Sequence, residues 1–300
     1  MIKSRLYLKN LARAALNSLI IISLFLFYGC SSSTSPSFSR EDINQTIQDI
    51  CKKEFNIDLT SKLTGQTLWV YFPVEDILVE STEPKKNIER FDIEKLETSF
   101  NNGIIENKSA IKPIPEKETT QGSDLDKTIM EKVSNVWGVI RRVIFSMERS
   151  KGKEPEFLCM VTADIKNAIE ITTTSYTLDL KKIFYGLISW EEYQHRTIQD
   201  ININPMVIGD KEGLSLDYKE INLNDFIVAQ IEQRIKMKFQ KPEVDINADI
   251  DKEIIKVAIY TIKTYNFKDF TEITFNNLVS NNKTTLNQAA VWGKAIAQKH

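Results

Sequence analysis

Nine apolar residues between Leu125 and Met147 fall on one face of a helix: Leu125, Ile129, Val133, Val136, Trp137, Ile140, Val143, Ile144 and Met147. A face of six turns must be buried against another layer. The sequence supplies that layer directly. Gly152 and Pro155 break the helical pattern, and Glu156–Ile165 and Ile169–Thr174 then read as strands, the first buried. Helix followed by strand recurs near 40–72 and 250–279, although no residues align among the three segments. Parallel βαβ alternation is not evident. The expected fold class is therefore α+β, with amphipathic helices packed on a small, mostly antiparallel sheet.

The remaining segments fit that scheme unevenly. Ser39 caps a helix carrying Ile43, Ile47, Ile50 and Phe55, and strands follow over Ile57–Leu63 and Thr67–Phe72, around Gly65. Residues 80–124 are polar, with a weak hairpin signal at Asn101-Asn102-Gly103. Pro113, Pro115 and the run Glu116–Asp124 read as a linker or long loop. Helices are expected over Leu178–Leu187, from a Ser189/Glu192 capping box to Arg196, over Asn224–Phe239 and over Ile250–Tyr265. The last of these is apolar round most of its circumference, which predicts a central position. Residues 200–222 read as loop, Thr271–Val279 as a strand, and a short helix closes the chain from Leu286. The organisation expected is a leader at 1–29, a Ser-rich tether at 30–39, an N-terminal α+β module at 40–111, the linker at 112–124 and a main α+β domain at 125–300.

The first thirty residues carry an address. Lys3, Arg5, Lys9 and Arg13 precede a short apolar stretch, Leu16–Phe27, and then come Tyr28, Gly29, Cys30 and a run of small polar residues. The apolar stretch is shorter than the roughly 20 residues that a permanent membrane span needs, and the order is that of a cleavable export signal. Phe27-Tyr28-Gly29-Cys30 resembles the lipobox of bacterial lipoproteins, with Phe27 and Tyr28 where aliphatic and small residues are usual. The resemblance implies cleavage before Cys30, acylation of its thiol and of the new N-terminus, and anchoring on the exported side of a membrane. Ser31 fits the outer-membrane sorting pattern. The implied partners are the membrane, through the lipid, and another component of the cell envelope.

Without residues 1–29 the chain carries 35 basic against 41 acidic residues, a net of −6. That is no footprint for nucleic acid. With Cys30 taken by lipid, Cys51 and Cys159 remain. Both sit in apolar surroundings that suit a small buried residue, and an even count in an oxidising compartment permits a disulfide between them.

Motifs for chemistry are scarce. Glycine occurs 10 times, no two closer than Gly209 and Gly213, so neither a P-loop nor GxGxxG is present and no nucleotide or other cofactor is expected. Histidine occurs at His195 and His300, which rules out HExxH and C2H2 zinc sites. Glu192-x-x-His195 matches one half-motif of a di-iron bundle, where two are needed. Asp245–Asp249 begins like a calcium loop but lacks its glycine and its terminal glutamate. Ser109-x-x-Lys112 matches SxxK without companion motifs. The aromatics Trp69, Tyr71, Trp190, Tyr193 and Trp292 fit core positions better than a groove. No catalytic or metal-binding residue is assigned, and the leading expectation is a non-enzymatic binding or scaffolding lipoprotein. An envelope hydrolase using carboxylates is the second class. An apolar patch would favour the first, and a cleft with convergent carboxylates the second.

Overall fold

In the computed structural model, residues 38–147, 153–240 and 244–293 are described. In chain order their elements are α1 (Ile43–Phe55), β1 (Thr60–Thr64), β2 (Thr67–Val74), β3 (Leu78–Asn101), β4 (Ile104–Leu125), α2 (Lys127–Phe145), β5 (Phe157–Asp164), β6 (Ile169–Tyr176), α3 (Thr177–Phe184), α4 (Trp190–Arg196), β7 (Ile198–Ile203), α5 (Leu223–Gln240), α6 (Ile250–Thr264), β8 (Glu272–Asn277), β9 (Asn282–Asn287) and α7 (Gln288–Trp292). The fold is α+β. One sheet has the order β1-β2-β5-β6-β7 and the other β3-β4-β8-β9. Only β2–β5 and β4–β8 are parallel pairs; the other named pairs are antiparallel.

The amphipathic segment forms α2 as its spacing predicts, opened by Asp126, whose side chain accepts the Ile129 amide at 2.9 Å. Val136, Ile140, Val143 and Ile144 face inward with Ile43, Ile47 and Cys51 of α1, against Leu68, Val70, Leu158 and Met160 of the first sheet. Burying each such aliphatic side chain is worth roughly 1.5–3 kcal/mol. Every residue of β5 is buried, so both faces of the sheet are covered there. Leu158 and Met160 enter this core, whereas Cys159, Val161 and Ala163 enter a smaller one with Tyr71 and Val207 on the opposite face.

A further core lies between α5, α6 and the second sheet. Phe226, Ile231, Ile235 and Phe239 meet Ile254, Ala258 and Ile262, with Ile105, Ile273 and Phe275 beneath. The expectation of a central helix at 250–265 is corrected. One stripe of α6 is buried, Ile255, Val257 and Ile259 are half-buried and Tyr260 is exposed. The first sheet reaches this core through rings: Phe157 of β5 lies 5.4 Å from Tyr176 of β6 and 5.2 Å from Phe226, and Phe226 lies 5.4 Å from Tyr265.

The expected linker at 112–124 is also corrected, since it is the second half of β4. Asn102 and Gly103 both take positive φ, 52° and 80°, the turn that matches strand twist in a tight hairpin. From it β3 and β4 pair as far as Leu78 and Leu125, with Pro113 opposite Phe91. Pro113 is tolerated because β8 pairs with β4 only over Ile104–Ser109, which leaves that edge without a neighbour needing its N–H. Strands β7 and β9 stand where the sequence suggested loop and the approach to a helix. No helix among the described residues is long and apolar enough to cross a membrane.

Candidate functional site

Strand β7 ends the first sheet, hydrogen-bonded to β6 on one side only. Its burial is lopsided: Ile198 is buried and the other five residues are exposed. In register Ile201 lies opposite Ile171 and Ile203 opposite Ile169, on the face that carries Leu158 and Met160. Beneath α1 and α2 that face is closed. At β7 the helical cover has run out, and Ile201 and Ile203 are 64% and 82% exposed.

The chain beyond β7 is held firmly. Asn204 donates its amide to the Ala168 carbonyl at 2.7 Å and its side-chain NH2 to Glu170 at 2.9 Å, and accepts the Met206 amide at 3.1 Å. Val207 is buried as a plug, and Met206, Ile208 and Leu214 are left outward. Asp210 then organises the next turn. Its carboxylate accepts the amides of Glu212, Gly213, Leu214 and Ser215 and the Ser215 hydroxyl, at 2.6–3.1 Å. Burial acts to raise the Asp210 pKa, but these hydrogen bonds outweigh it and hold it at about 2. The Asp210 carbonyl accepts the buried Tyr71 hydroxyl at 2.6 Å. An unpaired strand edge with outward apolar side chains is thus presented on a rigid mount.

A cleft of about 650 Å³ is the other candidate. It lies among α4, α5 and α6 and is lined by His195, Arg234, Met237, Glu253, Lys256 and Tyr260, among others. Its glutamate is paired. Glu253 bridges Lys238 at 2.5 Å and Lys256 at 2.6 Å. Burial favours protonating Glu253, but the two lysines win and keep its pKa low. Arg234, nearly buried, stands 5.3 Å from the Tyr260 ring and 3.4 Å from Glu192, which Arg196 binds more closely at 2.7 Å. Burial likewise opposes the ionised form of Glu192, and the two guanidinium groups keep it ionised. Carboxylates held this way serve poorly as general acids. Near them, the Tyr265 hydroxyl is buried beside Asp179, whose Oδ1 accepts from Arg196 at 2.9 Å and Lys182 at 3.0 Å. Burial, and next the Asp179 charge, push the Tyr265 pKa up.

The other residues singled out in the sequence are scattered. Cys30 lies outside the described residues. Cys51 and Cys159 are free; the disulfide that their even count permits is not made, because their side chains enter cores on opposite faces of one sheet. His195 lines the cleft while Glu192 turns to the arginines, so the ExxH spacing assembles nothing. Asp245 accepts the Asn247 amide and Asp249 caps α6. No group of three or more His, Cys, Asp or Glu suited to a metal ion occurs among the described residues. Ser109 is buried in β4 and Lys112 pairs with Glu94 at 2.6 Å. Tyr71 and Tyr193 are core residues, as expected, whereas Trp190 is exposed. Strand β7 lies where loop was expected, although Ile201-Asn202-Ile203-Asn204 alternates with period two, the one signal that could have found the strand. No protein-family model, curated protein or solved structure matches the chain.

Proposed function

We propose that this is an exported lipoprotein, anchored through Cys30, that holds an envelope partner by adding an extended segment of that partner to the edge of β7. The anchoring part rests on the N-terminal sequence. The binding part rests on one observation, the unpaired edge of β7 with Ile201 and Ile203 outward beside Met206 and Ile208. Main-chain groups of the edge supply affinity in strand addition, and alternate side chains supply selectivity. The fitting partner segment is extended and apolar at alternate positions. The pairing of the cleft's Glu253 with Lys238 and Lys256, and of nearby Glu192 with Arg196 and Arg234, supports binding over hydrolysis.

Photo-crosslinking in intact cells tests this. A photoreactive residue at 201 or 203 is expected to capture one protein, the same from both positions, and a residue at Met237 in the cleft is not. A synthetic peptide of the captured segment should then slow amide exchange in β7. Ile203→Lys should abolish capture while changing stability by no more than about 0.5 kcal/mol, as is usual for exposed sites. Capture only at 237, or an activity lost in His195→Ala with folding intact, would overturn the binding reading in favour of the hydrolase. For the anchor, Cys30→Ser should move the protein from the membrane to the soluble exported fraction. A processed variant still membrane-bound after a high-salt wash rules the lipid out.

A further inference from the structure

A second exposed apolar surface precedes β7 in the chain, at the turn after α3. Gly186 takes φ +68°, the left-handed residue that closes a helix, and the Leu187 amide returns to the Lys182 carbonyl at 2.8 Å. The turn is therefore fixed. It projects Phe184, Tyr185, Leu187 and Trp190 outward, with Tyr185 and Leu187 66% and 72% exposed. Phe145, at the end of α2, backs it: its ring lies 4.8 Å from Phe184 and stacks parallel on Tyr185 at 6.5 Å. Arg141 stands over the Phe184 ring at 5.7 Å.

Where the N-terminal chain joins the body identifies what covers this surface. Phe38 forms a parallel bridge with Met147 and donates its amide to the Ser146 carbonyl at 3.4 Å. Ser146 and Met147 follow Phe145 directly, so the chain enters the body beside the aromatic surface. Seven residues separate Cys30 from Phe38, and over the eight steps between them, at about 3.3–3.6 Å each, the lipidated residue lies within roughly 28 Å of Phe38. A bilayer holding that lipid is within reach of this face. The side chains suit such a surface: aromatic rings favour the headgroup level of a bilayer, with an arginine at the rim to meet lipid phosphates.

We infer that Phe184, Tyr185, Leu187 and Trp190 seat the body on the bilayer that holds its anchor. The inference rests on the lipoprotein reading above. Seating fixes the orientation of the body, so that the β7 edge is presented at a set height rather than swung on a tether.

The test uses the full-length lipidated protein with Tyr185→Cys, labelled with an environment-sensitive fluorophore. The probe membrane is a vesicle of phosphatidylethanolamine, phosphatidylglycerol and brominated phosphatidylcholine. A label at Lys283→Cys, on β9 of the other sheet, is the control. The expected result is blue-shifted emission and bromine quenching at 185, neither at 283, and loss of both on adding Leu187→Ser. Protein that floats with the vesicles yet shows an unquenched label at 185 overturns the seating and leaves the anchor standing. Protein that does not float overturns the anchor and the seating with it. A shift at 185 that depends on protein concentration in detergent, without vesicles, assigns the surface to a second copy of the chain and overturns the seating.

Discussion

At the scale of single residues, the described side chains with perturbed ionisation are mostly structural. Burial pushes the thiol pKa of Cys51 up to about 11 and that of Cys159 up to about 12, so neither is a thiolate at neutral pH. Both should resist alkylation in the native protein, react fully in denaturant, and show no linkage on a non-reducing gel; a mass shift of two protons on reduction would contradict the geometry. Asp210 gives a pH signature. Its folded pKa of about 2 lies below the ordinary 3.8, so its contribution is complete above the ordinary carboxylate range and fades as pH falls from about 4 towards 2. Asp210→Asn should cost about 1–2 kcal/mol near neutral pH, since an amide cannot accept at both oxygen positions. The difference from wild type, read by urea denaturation, should shrink across that acid window. A difference that stays constant there would show that the charge is not what the turn uses.

At the scale of elements, period and punctuation located most of what is present. The apolar faces of α1, α2 and α5, the strands β5 and β6, and the Ser189 cap of α4 with its 3.1 Å bond from the Glu192 amide stand close to where the spacing puts them. The capping box is half made, because the Glu192 carboxylate is drawn to Arg196. The β3–β4 ribbon was legible only at its turn. Beyond Phe91 and Pro113 its residues are mostly exposed on both faces, so no apolar alternation marks them as strand, and pairing is dictated by the hairpin register alone. Two strands without a covered face are marginally stable. Trypsin should therefore cut first after Lys86, which pairs with exposed Glu118, and after Lys117, which lies opposite exposed Glu89. Initial cleavage within 204–222 instead would mean that the Asp210 turn is looser than its hydrogen bonds indicate.

At the scale of the molecule, the rings of Phe157 and Tyr176 tie the first sheet to the core that Phe226 and Tyr265 share with the second sheet. Phe226→Ala should cost about 3–5 kcal/mol and affect both halves, so that probes in the first and second sheets lose stability together in urea. Loss confined to the second sheet would show that the halves unfold separately. The sequence by itself determined the α+β class, the helices with one apolar stripe and the absence of the P-loop and GxGxxG motifs, because each is written in local spacing or in residue type. Tertiary structure alone decided that Cys51 and Cys159 lie on opposite faces of a sheet, that α6 is a flanking helix and that 112–124 is strand. It also decided that Ile201 and Ile203 stand at an uncovered edge. Those outcomes depend on which distant segments pair and where a covering layer ends, and no local pattern of side chains carries that information.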